Sequence, residues 1–401
     1  MQQKKPSLRL LHTSDWHIGQ NFYGYDRLLQ QKSVLCEIVG IAARSDVDAI
    51  LISGDVFHTA QPSAAAQKVL ADTLIALRHE CPDARIIITA GNHDSASRHE
   101  AYSALWQELG VTAIGIVDRT DTDEGLDRLI VAIAGKGYVA AVPYIYTRNV
   151  SEDFYTRLSE RLALRNPDRR PAVLMAHTAV HGCRYSGHAD ATEKTVGGIE
   201  SVALSSLGAG YSYIALGHIH VPHTLSEGSR PSTTARYCGS PMAMSFDEDF
   251  SHSVSIVDIS DEGVEIEEIL ISDPCPPVNV PASGALPWEE ALLALGKLPE
   301  DLDAYIRLNV ETDGFLPFDA NEQIEAALSG KKCRFCILNT RRKSSSEPTE
   351  MTEFTVSEFR NLAPAGLAER FCADTGIEFD EDMRSLFAAA AREALKETPE
   401  A

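Results

Sequence analysis

The sequence predicts an α/β protein in which buried parallel strands, joined by helices, release polar side chains at one common end. The first observation is a set of apolar runs of strand length at 8–13, 48–53, 85–89, 172–176 and 213–216, four of them mostly Val, Ile, Leu and Ala. Strands covered on both faces have that composition. The second is helical spacing between the runs, at Leu28, Leu35, Val39 and Ala42 and again at Val69, Leu70, Leu74 and Leu77. Parallel strands need such crossovers. The third is the polar ending of each run: Asp15 and His17, then Asp55 and His58, then Asn92, His93 and Asp94, then His177, then His218 and His220. Open α/β sheets bind ligands at the carboxyl ends of their strands. Unrelated solvated loops would not deliver five such endings, so the polar groups are expected at one rim of a shared sheet.

In chain order, helices are expected at 27–44 and 63–79, the second opened by Pro62 and Ser63. A helix at 98–109 leads to a strand at 111–117, and strands at 130–134 and 138–142 precede a polar helix at 152–164. The polar, glycine-rich segment 181–198 reads as a loop over the site, with His181, Arg184, His188 and Lys194 able to meet a phosphate. Short strands come next at 234–238 and 242–246, and alternation at 253–259 and 264–271 suggests a second sheet stacked on the first. Pro274, Pro276, Pro277 and Pro281 mark the clearest boundary and the polar stretch 344–349 a second, which together divide the chain into 1–272, 273–345 and 346–401. The middle part reads as helix 288–295, strand 304–310, helix 321–328 and strand 332–338, and the last holds helices at 356–362 and 382–396. Cys333 and Cys336 have the spacing of half a zinc ribbon, but the other half is missing and both read as strand residues.

Asp-x-His, Gly-Asp, Gly-Asn-His-Asp, a strand-end His and Gly-His-x-His, in that order, resemble the calcineurin-like metallophosphoesterase superfamily. The first block, His-Thr-Ser-Asp-Trp-His-Ile-Gly-Gln-Asn-Phe at 12–22, closely resembles the SbcD family, the nuclease subunits of SbcC–SbcD complexes. Gly-Asp-Val-Phe-His at 54–58, Ala-Leu-Gly-His-Ile-His at 215–220, Tyr-Cys-Gly-Ser-Pro at 237–241 and Ser-Phe-Asp-Glu at 245–248 resemble the same family. The likeness is strong over about the first two thirds of the chain. It implies a two-sheet sandwich flanked by helices (1–272), a small α+β capping domain (273–345) and C-terminal helices (346–401).

The resemblance also implies two divalent ions, one held by Asp15, His17, Asp55 and His220, the other by Asn92, His177, His218 and the same Asp55. A carboxylate has two anionic oxygens, which suits Asp55 to bridge. Mixed carboxylate, amide and imidazole ligands favour Mn, Fe or Zn over Ca or Mg, and Mn(2+) is the foremost expectation. His93 is then the general acid, oriented by Asp94. His58 is either a second histidine touching nucleic acid or a loop histidine capping the next helix. The implied partners are DNA and an SbcC-type ATPase in a heterotetramer. A homodimer through the early helices stands beside burial of their apolar faces against the sheet. The terminal helices either bind the SbcC coiled coil or fold back on their own domain.

A chain of 401 residues exceeds one ordinary core, and 44% hydrophobic content is that of a globular protein. No run is apolar enough to span a membrane and Met-Gln-Gln-Lys-Lys-Pro has no signal core, so a cytoplasmic protein without membrane contact is expected. The 8 scattered cysteines read as reduced thiols. A net charge of -22 argues against a free-standing nucleic-acid binder. A nuclease survives this, because cations offset part of the charge and a partner or the strip Lys331, Lys332, Arg334, Arg341, Arg342 and Lys343 can grip DNA. The leading function is a metal-dependent DNA nuclease for repair and recombination, an exonuclease on double strands and an endonuclease on single strands or hairpins. The alternatives are a phosphatase or small-molecule phosphodiesterase of the same superfamily, or a scaffold, which would not need the full ligand set.

Overall fold

The computed structural model describes residues 7–145, 150–184, 201–225, 233–314 and 316–342, and 380–381, 383–385 and 387 near the C-terminus. The chain divides into two units, 1–342 and 343–401. Residues 185–198 of the loop expected over 181–198, the helix at 356–362 and most of that at 382–396 lie outside the described residues. The first unit contains, in order, β1 (Leu8–Thr13), β2 (Asn21–Phe22), β3 (Tyr25–Asp26), α1 (Leu28–Ser45), β4 (Ala49–Ser53), α2 (Ala64–Glu80) and β5 (Arg85–Thr89). Then come α3 (Ala96–Ala101), α4 (Ser103–Glu108), β6 (Val111–Ile114), α5 (Asp123–Arg128), β7 (Ile130–Ile133), β8 (Gly137–Val142), α6 (Phe154–Arg165), β9 (Ala172–His177) and β10 (Tyr213–Gly217). The remainder is β11 (His223–Leu225), β12 (Thr234–Tyr237), β13 (Ser253–Ser260), β14 (Gly263–Leu270), β15 (Pro277–Val280), β16 (Leu286–Pro287), α7 (Trp288–Gly296), β17 (Tyr305–Thr312), α8 (Ala320–Leu328) and β18 (Arg334–Arg342).

Two six-stranded sheets dominate, ordered β14-β13-β1-β4-β5-β6 and β11-β12-β10-β9-β8-β7. Side chains alternate across a strand, and β1 shows the result. Leu8 and Leu10 join the core between the sheets with Leu174, Ile214 and Ala140, whereas Leu11 faces the outer layer with Ile38 of α1 and Leu74 of α2. The motif-bearing strands therefore do not share one sheet. β1, β4 and β5 are parallel neighbours in the first, and β9 and β10 pair in the second. Strand pairing is decided by contacts distant in sequence, so local composition cannot divide five similar runs between two layers.

The other departures have local causes. The alternating pair at 253–259 and 264–271 extends the first sheet instead of starting the second, because β13 runs antiparallel to β1 with Leu8 opposite Ile259. Residues 242–246 are not a strand; side chains occupy carbonyls there, Gln20 that of Met244 at 3.1 Å and Asn279 that of Phe246 at 3.0 Å. The helix expected at 98–109 breaks into α3 and α4 at Tyr102. The unanticipated α5 is capped by the Thr122 hydroxyl, which accepts from the Gly125 N–H at 3.1 Å.

A third sheet pairs β17 in parallel with β15, β16 and β18. It has its own core of Val280, Leu295, Ile306, Leu308, Val310 and Ile324 under α7 and α8. Cys336 lies on β18 with Cys333 just before it, and the cysteines among the described residues are all free. No helix among them is long and apolar enough to cross a membrane.

Candidate metal centre

The ends of β1, β4 and β10 converge because the chain turns sharply after each. Asp15 (φ 53°), His17 (φ 43°), Asp55 (φ 48°) and His218 (φ 93°) all hold left-handed backbone conformations. Non-glycine residues there cost roughly 1–3 kcal/mol each and persist where surroundings over-determine them. Here the loops after β1 and β4 are zipped together: the Asp15 N–H donates to the Gly54 carbonyl and the His17 N–H to the Asp55 carbonyl, both at 3.0 Å. A Cβ on Gly91 would sit 2.0 Å from Asp55 Oδ1, and one on Gly217 1.9 Å from the Ser53 carbonyl. Only glycine lets these strand ends approach so closely.

All seven expected ligands meet here. The ligand atoms of Asp15, His17 and His220 lie within 4.8 Å of one another, as do those of Asp55, His177 and His218. Asn92 Oδ1 joins the second group, 3.1 Å from His177 Nε2 and 2.9 Å from His218 Nδ1. Asp55 stands between the groups, with Oδ2 3.7 Å from His17 Nε2 and 3.3 Å from His177 Nε2. Asp15, His17, Asp55, His177 and His220 are buried. Asn92, His93, His218 and His58 are half-buried and form the accessible side.

Surrounding groups aim these ligands. The Nδ1–H of His177 donates to the Ser53 carbonyl at 2.8 Å, which turns Nε2 toward Asp55 and Asn92. Asp15 accepts from the Ser14 hydroxyl and, at 3.1 Å, from the backbone N–H of His218. His220 Nδ1 lies 3.3 Å from the buried carboxylate of Glu248, an arrangement that fixes imidazole ligands at metal sites. Glu248 was legible only as part of a family-like block, with no role attached; a buried partner for a ligand 28 residues away has no local signature. Ser14 was equally silent. The ring of Tyr144, just after β8, lies 6.2 Å from that of His177 and 6.3 Å from that of His218.

The expected pairing of Asp94 with His93 is corrected. His93 Nδ1–H donates to the His58 carbonyl at 2.9 Å. The Asp94 carboxylate instead accepts the backbone N–H groups of Val56, Phe57 and Gly91 at 3.0, 2.9 and 2.8 Å, so it pins the loops after β4 and β5 together. Three amide donors exceed one imidazole in reach of a buried carboxylate, and the side chain turns inward to meet them. The helix-cap reading of His58 is also set aside, because Ser63 caps α2 by accepting from Ala66 N–H at 3.1 Å. His58 instead stacks on His93 at 5.7 Å and lies with it and His17 in a third ligand-like group.

The electrostatics fit divalent cations. Burial raises the Asp15 carboxyl, although His177 and His220 pull it back. Burial would also raise Asp55, but His177, His17 and His93 hold it well below the usual carboxylate range. Burial would lower His177, but the Asp55 and Asp15 carboxylates push it up to about 9. Without cations this buried cluster balances its charge with protons. Divalent ions among the same oxygens and nitrogens would take the protons' place, as metal binding generally does.

Sheets and site together define a calcineurin-like phosphoesterase, and the family of that description matches residues 8–222. A family described as the type 5 capsule protein repressor C-terminal domain matches 282–375. The SbcD subunit of nuclease SbcCD from Bacillus subtilis is 33% identical over 343 residues, covering 80% of this chain and 84% of that protein. The Rhodobacter capsulatus protein of the same name is 29% identical over 381 residues (87% and 92%), and that of Escherichia coli K12 is 24% identical over 379 (88% and 92%). The chain belongs to this SbcD family of calcineurin-like phosphoesterases and is a metal-dependent nuclease.

Proposed function

We propose that the chain is the DNA-cleaving subunit of an SbcC–SbcD-type complex in the cytoplasm, acting on double-stranded ends and on single strands or hairpins. The observation that carries this is the position of Asp55 between two ligand groups, 3.7 Å from His17 and 3.3 Å from His177. Asp15, His17 and His220 with Asp55 would hold one divalent ion, and Asn92, His177 and His218 with Asp55 the other. The mixed donors favour Mn, Fe or Zn, and Mn(2+) is the ion proposed. A bound pair of ions would supply an activated water and neutralise charge on the phosphodiester.

The chain's own groups do the rest. His93, with Nδ1 committed to the His58 carbonyl, carries its transferable proton on Nε2 and delivers it to the departing sugar oxygen. His58 backs that ring from one side and reaches the nucleic acid from the accessible face. Asp94 keeps both loops in register. The third sheet is read as a capping domain over 273–345, and 346–401 as the segment that binds an SbcC-type ATPase in a heterotetramer. A homodimer is read on the α2–α4 face, where a groove of about 350 Å³ is lined by Leu70, Trp106 and the exposed Tyr102 and Leu105. The test is cleavage of linear, hairpin and single-stranded DNA with and without Mn(2+), alone and with the ATPase subunit. Metal-dependent DNA cleavage is expected. Hydrolysis of small phosphomonoesters without DNA cleavage would overturn the nuclease reading in favour of a phosphatase.

A further inference from the structure

The irregular segment 243–248 lies between the metal centre and the third sheet and is bonded to both sides. On the metal side, the fully buried Glu248 carboxylate stands 3.3 Å from His220 Nδ1 and 3.5 Å from His252 Nε2. Its other bond ties it to its own segment, accepting the Met244 N–H at 2.9 Å. The carbonyls of Ala243 and Met244 are taken by Arg27 and Gln20. On the far side, Arg307 of β17 and Asn279 of β15 are opposite one another in register and act as one clamp. Arg307 Nε donates to Asn279 Oδ1 at 2.6 Å, its Nη2 reaches Asp247 Oδ1 at 2.7 Å and the Phe246 carbonyl at 3.4 Å, and its guanidinium lies 5.4 Å over the Phe246 ring. Asn279 Nδ2 donates to the same carbonyl at 3.0 Å.

We infer that Arg307 is a positioning residue for the metal ligand His220, acting through Asp247 and Glu248, so that seating of the third sheet sets the metal affinity of one half of the centre. Asp247 and Glu248 are adjacent, so a bond that fixes the first restricts the backbone from which the second aims its carboxylate. The Arg307 side chain is only 14% exposed and makes planar, multidentate contacts that lysine could not reproduce. The coupling is expected in the half holding Asp15, His17 and His220, because Glu248 touches His220; in the other half His177 takes its orientation from the Ser53 carbonyl on β4. A partner or DNA that shifts the third sheet would thereby loosen one ion and leave the other. This rests on the two-ion reading proposed above.

The experiment is calorimetric titration of the full-length metal-free chain with Mn(2+), with thermal melts as a check on folding. The native chain should bind two ions. Glu248→Gln should weaken one of them by about 10–100-fold, the usual range for a residue that supports a ligand. Arg307→Ala should weaken that same ion by about tenfold, and Asp247→Asn should do so even if the arginine variant fails to fold. Pairing either with Glu248→Gln should give no loss beyond Glu248→Gln alone, as expected for residues acting in series. Unchanged affinities in Arg307→Ala and Asp247→Asn, equal loss of both ions, or losses that multiply in the double variants would overturn the coupling while leaving the two-ion centre standing. A native chain that binds fewer than two ions removes the centre itself, and the coupling with it.

Discussion

The two halves of the metal centre are built from the same parts and finished differently. Asp15, His17 and His220 are all buried, and carboxylate or hydroxyl groups of Glu248 and Ser14 support them. In the other half only His177 is buried; Asn92 and His218 are half-buried, and the support is a backbone carbonyl. Each half draws on both sheets, the first from the loops after β1 and β10, the second from the loops after β5 and β10 and from the last residue of β9. If each half holds an ion as proposed, the difference teaches a division of labour: the sealed half would retain its ion and the open half would meet the substrate.

The most severe way to break this comparison is to remove what the halves share. Asp55→Asn should lose both ions and bring DNA cleavage below detection, as metal analysis and a gel assay would reveal; retention of either ion would mean that Asp55 does not bridge. His93→Ala touches neither half as a ligand, so it should keep full metal content while kcat falls by about 10²–10⁴-fold. A parallel loss of metal would make His93 a ligand instead. A subtler measurement sharpens the contrast itself: dialysis against a chelator should release the metal in two phases, and His218→Ala should abolish the faster. A single phase would mean that burial does not separate the halves.

The smallest effect is on stability. In the metal-free chain the His177 pKa stands near 9 against an ordinary 6.5, because the Asp55 and Asp15 carboxylates overcome the opposing effect of burial. A raised folded-state pKa stabilises fully below about 6.5, and that contribution disappears as pH rises through 9. The melting temperature of the chelated chain should therefore decline between those values by scanning calorimetry. The Mn(2+)-saturated chain should lack that decline, since a metal ligand no longer exchanges the proton; the same slope in both would disconnect His177 from the metal.

The range of the interactions involved decides which features the sequence disclosed and which it concealed. Asp15, His17, Asn92, His177 and His218 were readable because each sits within a few residues of the apolar run that delivers it. The allocation of those runs to two sheets was not, since β13 of the same composition could as well have begun a new layer as paired with β1. Asp94 was assigned to its sequence neighbour His93, whereas its three amide partners come from two loops that only the fold brings together. α5 was missed although Thr122 followed by Asp123 and Glu124 is an ordinary helix start. Glu248 and Arg307 depended wholly on contacts across the molecule.

The left-handed turns at Asp15, His17, Asp55 and His218 carry an evolutionary corollary. With no cation present, exchange of any of them for glycine relaxes the backbone by roughly 1–3 kcal/mol, which offsets part of the hydrogen bonds and ion pairs that the exchange removes. A lineage released from selection for cleavage should shed these four positions at a smaller cost in robustness than other buried polar positions. Decayed copies of this chain ought to be recognisable by glycine at those turns long before their sheets erode.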